Sequence, residues 1–540
     1  MARATGGRST QSPALPPTRL ERRHLPVVSG WLLRSKRMLG ADPSIRPLGR
    51  FAAAAAELGG DPTMSPPRIS RWETGIHSVP HSVAERYEQI IGLPAGTLAA
   101  PLALLHRHFA VDLRLELPYE RRVPALDKAT HAQLADLVDR VRAGAAVTGL
   151  EWDRFTAFLT VNPCLIFARP DTAAVLARRL LAETLVADGL AWQLRFESFN
   201  RMLAHPVFAE DAAAACIAVT DEPHHPAVFE AVNFLDGSPH PTAGAFLAQA
   251  LAGRGDDDVF GGALMAGVRR SRLGQFTAEE CAAMVPALRT LVEDDSADLL
   301  TRRLALRILA LLRAHPRTRQ ALDGAARAIS QSSLPLADYV HQSGVELADD
   351  VLSHARDTST AAVARFQDQT LPSLLRAAIL DPVPDQRLYL DMLLNASPYR
   401  DAIATRAAHW LSQPPHPQLR RNLLTLVRVL GDARVADPFL AFGTDPDCDL
   451  GLRVSSLRAL GHLGLPADSP LWRHAEGAVG AARDATTVGT LGPALAYALG
   501  VSGNTAGLRR LRRRLPPEQH PTVDWWLNQP AGVRDSLARG

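Results

Sequence analysis

The chain has 540 residues, 46% hydrophobic and 21% charged, with a formal net charge of +3. That composition supports a large folded core and excludes low-complexity, collagenous and disulfide-rich classes. Cys164, Cys216, Cys281 and Cys448 lie far apart, which fits neither a zinc pattern nor a disulfide framework, so we expect a reducing, cytoplasmic setting with no cofactor and no bound metal.

The charge is unevenly placed. Residues 1–80 hold twelve basic and five acidic side chains, and the remainder is net acidic. A basic end on a mildly acidic body points to a nucleic-acid contact at that end. Only Lys36 and Lys128 are lysines; arginine usage of this kind reads as the bias of a GC-rich, bacterial genome. No run of about 18 uninterrupted apolar residues occurs, and the first 26 residues lack the apolar centre of a signal peptide, so no membrane association is expected.

Residues 1–26 are rich in Gly, Ser, Thr, Pro and Arg and read as a disordered basic tail, with Arg19, Arg22 and Arg23 as a candidate arm. Residues 27–110 read as a small five-helix domain, with helices over 30–38, 47–58, 65–72, 81–91 and 97–109. Pro47 suits a first helical turn, Gly59-Gly60 a helix end, Ser65 an N-cap with Pro66 just inside, and Gly75 a left-handed C-terminal position. Residues 111–126, with Leu113, Leu115, Leu117, Pro118 and Pro124, read as a linker.

From 127 onward helix follows helix. Apolar residues recur at i, i+3, i+4 and i+7 over 132–142, 172–188, 242–252, 277–293, 300–314 and 361–380, and no strand alternation is evident. We therefore expect an all-α protein: the five-helix domain, an α-helical domain over 127–299, and a HEAT-like or irregular solenoid over 300–540. The HEAT-like reading rests on helices near 300–314, 419–430, 452–463 and 491–500. The string from Arg453 to Gly461 (RVSSLRALG) resembles the second half of a HEAT unit, although the spacing follows no strict period.

The most informative segment is Arg68-Ile69-Ser70-Arg71-Trp72-Glu73-Thr74-Gly75, followed by Pro80, a helix carrying Tyr87, and Ile91-Gly92-Leu93-Pro94-Ala95-Gly96-Thr97-Leu98. It resembles the phage-repressor and Cro-like (XRE) helix-turn-helix family over roughly residues 30–105. The resemblance implies a helix lying in the DNA major groove, Arg71 at a base-reading position, and a structural role for Glu73 at the helix end. Pro66 and Pro67 stand where the family usually has polar side chains. The turn from Gly59 to Met64 is also longer than usual.

The spacing agrees with that picture. Ile69 and Trp72 share one face and can pack inward, while Ser65, Arg68 and Arg71 share another. Arg can bond guanine O6 and N7 in bidentate fashion or bridge phosphates. The DNA-contacting candidates are Ser65, Arg68, Ser70 and Arg71 on this helix, with Arg34, Lys36, Arg37, Arg46 and Arg50 as phosphate contacts. Five phosphate contacts correspond to a log-affinity against log-salt slope of about −4 to −5. The expected function is sequence-specific binding of duplex DNA by a homodimeric transcriptional regulator. The helical body would serve dimerisation, effector sensing or docking of a protein partner. The alternative is a helical-repeat interaction scaffold with a degenerate helix-turn-helix.

Other features read as solvated or structural. They are His224-His225 with Asp221 and Glu222, the acidic runs at 256–258 and 293–295, the arginines at 509, 510 and 512–514, and Trp525-Trp526 as a packing cap. No nucleophile elbow, P-loop, zinc-protease or dinucleotide fingerprint occurs, so no catalytic residues are assigned.

Overall fold

The computed structural model describes residues 20–538 except 60–63, 111–122, 124–126, 315–336, 361–367 and the single positions 166, 168, 223, 254, 256, 382, 415 and 483. Among the described residues every regular element is helical, with 27 α-helices, short 3₁₀ turns and no strand. No single helix among them is long and apolar enough to cross a membrane. Most of the linker expected over 111–126 lies outside the described residues, as does Arg19 of the expected tail. Of that tail, Leu20 is buried, Arg22–His24 form a 3₁₀ turn and the first helix already starts at Leu25.

The first five helices are α1 (Leu25–Leu39), α2 (Leu48–Glu57), α3 (Pro66–Glu73), α4 (His81–Ile91) and α5 (Ala99–His108). Ten follow: α6 (Lys128–Arg142), α7 (Gly149–Val161), α8 (Thr172–Val186), α9 (Gly189–Ala204), α10 (Ala209–Ala218), α11 (Val228–Phe234), α12 (Pro241–Gly253), α13 (Asp257–Arg272), α14 (Ala278–Glu293) and α15 (Leu299–Ala314). The next nine are α16 (Ala337–Thr360), α17 (Leu371–Leu380), α18 (Pro384–Asn395), α19 (Arg400–Leu411), α20 (Pro417–Leu430), α21 (Asp437–Thr444), α22 (Leu450–Leu460), α23 (Pro470–Ala481) and α24 (Ala485–Val501). The last three are α25 (Thr505–Arg512), α26 (His520–Leu527) and α27 (Ala531–Ala538).

Local chemistry sets many of the boundaries. Thr148 with Glu151 and Thr277 with Glu280 form capping boxes that satisfy two orphan donors at the starts of α7 and α14. Asp127, Asp449 and Asp484 accept from first-turn amides of α6, α22 and α24. The expected helix over 361–380 is shorter: 361–367 lies outside the described residues, and α17 begins at Leu371 after the non-helical Asp368–Thr370 stretch.

The helices fall into two compact units. One holds the described parts of 20–110 and 337–507, the other those of 123–314 and 508–538. This grouping cuts across the expected divisions at 126 and 299. The five N-terminal helices are not a separate body, α15 belongs with α6–α14, and the C-terminal helices belong there too. The reason is packing that local periodicity does not encode. In the first unit α5 packs on α18, and α18, α20, α22 and α24 lie side by side in chain order. In the second unit α27 packs on α8, and helices two apart in sequence pair as α7 with α9, α11 with α13, α12 with α14 and α13 with α15.

Candidate nucleic-acid interface

α3 is a short helix with two contrasting faces. Pro66 and Pro67 occupy its first turn, where a missing amide costs nothing. The Ser65 carbonyl accepts the amides of Arg68 and Ile69, although the Ser65 side chain makes no capping bond. Ile69, Trp72 and Glu73 are buried, while Ser65, Pro67, Arg68 and Arg71 are exposed and Ser70 is half-buried. Gly75 ends the helix at φ +72°, and a Cβ there would stand 2.6 Å from the Val27 Cα of α1, so both backbone conformation and space demand glycine.

The buried face is anchored by a charged node. Arg37 of α1 grips the Glu73 carboxylate with two hydrogen bonds of 2.6 Å, and the Tyr87 hydroxyl of α4 donates to the same carboxylate at 2.8 Å. Arg37 also donates to the Arg46 carbonyl, and Phe51 of α2 packs on Tyr87 with ring centroids 4.4 Å apart. Burial works against the Arg37 charge, but the Glu73 hydrogen bonds and charge outweigh it and hold the guanidinium above its ordinary range. Burial also pushes the Tyr87 phenol well up. The node thereby fixes α3 against three neighbouring segments.

Glu88 performs a second fixing role. Its carboxylate accepts the amides of Gly96, Leu98 and Ala99 at 2.6–2.9 Å, capping the start of α5. This is the physical content of the Gly92–Leu98 string.

The structure corrects two of the expected phosphate contacts, Arg34 and Arg37. Arg37 is 3% exposed and committed to Glu73, and Arg34 is 5% exposed, so neither guanidinium reaches a ligand surface. Lys36 is half-buried, and its ammonium lies in the field of Arg400 and Asp401; burial first, then Arg400, lowers its pKa. The cause is that α1 packs on α3 on one side and meets Asp368 and Tyr399 on another, so a basic run in sequence is not an open face. Arg46 is half-buried and Arg50 is exposed at the start of α2, which packs on α3.

On α3 itself the Arg68 guanidinium lies 5.4 Å from the Trp72 ring centroid, a cation–π contact that orders it. Arg71 carries no such tether in its exposed position. Sequence reasoning missed Ile76, which is 70% exposed in the turn after α3. The amides of Ile76 and His77 both bond the Arg71 carbonyl, so the turn folds back on Arg71. An isolated apolar residue among polar ones gives no periodic signal, and that is why it was not found. The expected long turn between α2 and α3 lies in part outside the described residues, at 60–63.

Elsewhere, His225 is 8% exposed against Trp525 (ring centroids 4.5 Å apart), and the His224 carbonyl accepts the Thr522 hydroxyl. Trp525 thus packs on that loop, with the Trp526 ring edge-on to Trp525. Among the described residues no group of three or more His, Cys, Asp or Glu could hold a metal. Asp256 lies outside the described residues, Asp257 and Asp258 open α13, and Asp294 bonds Ser296 while Asp295 pairs with Arg302. Arg512 pairs with Asp524, whereas Arg509, Arg513 and Arg514 are exposed.

Burial lowers the His225 pKa to about 4. An unfolded histidine takes up its proton near pH 6.5, so stability is complete above that value. It falls by up to about 3 kcal/mol as pH drops toward the folded pKa. Urea unfolding at pH 7.5 and 4.5 should show a larger loss for the wild type than for His225→Phe. Equal losses would remove His225 from the account.

No family model matches the chain, and no curated protein matches it. Among solved structures it is similar to an engineered protein from a structural genomics consortium. That chain is 13% identical, over 94% of this chain and 99% of that one, with a TM-score of 0.23. At that score the likeness bears on neither fold nor function.

Proposed function

We propose that this chain is a sequence-specific duplex-DNA-binding protein of the helix-turn-helix kind, acting as a cytoplasmic, homodimeric transcriptional regulator. The observation that carries the reading is the division of α3: Ile69, Trp72 and Glu73 inward, Ser65, Pro67, Arg68 and Arg71 outward. A two-turn helix held from behind by a buried ion pair and presenting arginines suits a major groove about 12 Å wide. One such helix reads only a few base pairs, which is why a dimer on two half-sites is expected. The side-by-side row α18, α20, α22 and α24 supports a HEAT-like, stacked arrangement of that part of the body, a surface suited to dimerisation or to an effector or protein partner.

Lys36, Arg46 and Arg50 remain as phosphate contacts, with Arg68 and Arg71 toward the bases. Three phosphate contacts correspond to a salt slope of about −3, shallower than five would give. Fluorescence anisotropy of the full chain with genomic duplex fragments at two salt concentrations tests the reading. Arg71→Ala should cost about 1–3 kcal/mol on the selected duplex, about five- to 150-fold in Kd, with a much smaller loss on unrelated duplexes. Equal losses on every duplex would make Arg71 a phosphate contact, and no binding by the wild type would remove the DNA reading.

One observation favours a second reading, the interaction scaffold. Arg34 and Arg37 are buried and Lys36 is half-buried, which leaves a thin basic surface for a DNA-binding unit.

A further inference from the structure

The helix behind α3 is held from outside the five-helix cluster. Trp31 of α1 is 1% exposed, and its indole N–H donates to the Asp368 carboxylate at 2.7 Å. The same oxygen accepts the Tyr399 hydroxyl at 2.9 Å, while the other accepts the amides of Thr370 and Leu371. The Trp31 and Tyr399 rings lie nearly parallel, 7° apart. On α5, His108 packs on Tyr389 of α18 with ring centroids 4.6 Å apart, and nine of the ten α5 residues are buried.

The preceding residue of α1, Gly30, touches α3 directly. A Cβ on Gly30 would collide with the Trp72 carbonyl oxygen and stand 3.0 Å from the Glu73 carbonyl carbon. Backbone therefore rests on backbone at the C-terminal end of α3, one position from Arg71. Close-packed interiors transmit small displacements because they have no slack to absorb them. A shift of Trp31 is passed through Gly30 to the helix end that carries Arg71.

We infer that Asp368, Trp31 and Tyr399 are positioning residues for α3, so that the pose in which Arg68 and Arg71 meet DNA is set by the helices of 337–507. The inference rests on the DNA reading above. It makes the unit of recognition residues 20–110 together with 337–507, and it gives the body a direct route to regulate the reading helix.

The test uses the full chain and two conservative variants, Trp31→Phe and Tyr399→Phe, each of which keeps a ring and removes one donor to Asp368. The first readout is the ratio of affinities for a selected duplex and an unrelated one, with the salt slope measured alongside. The ratio should fall about three- to thirty-fold, the span of coupling through one packed network, while the slope is unchanged because the phosphate contacts stay. A ratio unchanged in both variants overturns the inference.

The second readout is amide hydrogen exchange over 69–75, with α20–α24 as the internal control. Exchange over 69–75 should quicken in both variants while α20–α24 stay as in the wild type. Unchanged exchange over 69–75 overturns the inference. If the wild type shows no preference among duplexes, the DNA reading fails by itself, and this exchange measurement still decides whether the node holds α3.

Discussion

Glu73→Ala should destabilise the unfolding transition of the unit containing α3 by about 3–5 kcal/mol, the cost of leaving a buried charge without its partner. Arg37 is 3% exposed and directs two of its nitrogens at Glu73, so truncating the acid strands a guanidinium inside the fold. Tyr87→Phe, which removes a single donor to a charged acceptor, should cost less, about 1.5–3 kcal/mol. The double variant Arg37→Met/Glu73→Leu should recover part of the Glu73→Ala loss, because it removes the stranded guanidinium while the Tyr87 hydroxyl still lacks its acceptor. Urea unfolding followed by tryptophan fluorescence, in which Trp31 and Trp72 are two of eight reporters, measures all three. A Glu73→Ala loss below about 1 kcal/mol would show that water or another group satisfies Arg37, and the node would lose its place as the anchor of α3.

That node also shows where sequence reading stops. The inward placement of Ile69 and Trp72 and the outward placement of Arg68 and Arg71 follow from three-residue spacing on one helix, a local relation that the structure keeps. A structural role for Glu73 was implied by the family resemblance, but its partner Arg37 was not: the two are 36 residues apart, and nothing local links them. The same run that holds Arg37, Arg34-Ser35-Lys36-Arg37, reads as a solvated face on charge alone. The small residues Ser29, Gly30 and Ser35 on α1 carried the opposite message, since all three are buried and small side chains mark close approach of backbones.

At larger scale the helices were legible because the 3.6-residue period is local, and their grouping was not because pairing is remote. Trp31 meets Asp368 across 337 positions, and Ser536 meets Val147 across 389. Each contact joins segments that no periodic pattern relates, which is why a chain read as successive domains folds with 337–507 beside 20–110 and with 508–538 beside 123–314.

The contact at Ser536 leads to the second large effect, expected for Glu183→Ala. Glu183 of α8 has no exposed surface and receives four donors: the Trp152 indole at 3.0 Å, Arg179 at 2.6 Å, Arg195 at 3.0 Å and the Ser536 hydroxyl at 3.0 Å. Arg195 is equally buried and also donates to the carbonyls of Val147 and Ser536. Removing the acid leaves two guanidinium groups facing each other's field without an anion, so the loss should be at least the 3–5 kcal/mol of a single broken buried pair. Ser536→Ala removes one hydroxyl that bonds Glu183 and the Gly532 carbonyl while accepting from Val147, and should cost about 1–3 kcal/mol. Because α27 packs on α8, the local consequence of Glu183→Ala is release of residues 531–538, read as rapid amide exchange and early proteolysis at the C-terminus. If α27 stays protected while overall stability falls, the helix is held by its apolar contacts, with Val533 at 1% exposure as the next residue to truncate. If neither changes, the four-donor site tolerates an empty centre, and buried arginine in this chain is satisfied by carbonyl oxygens alone.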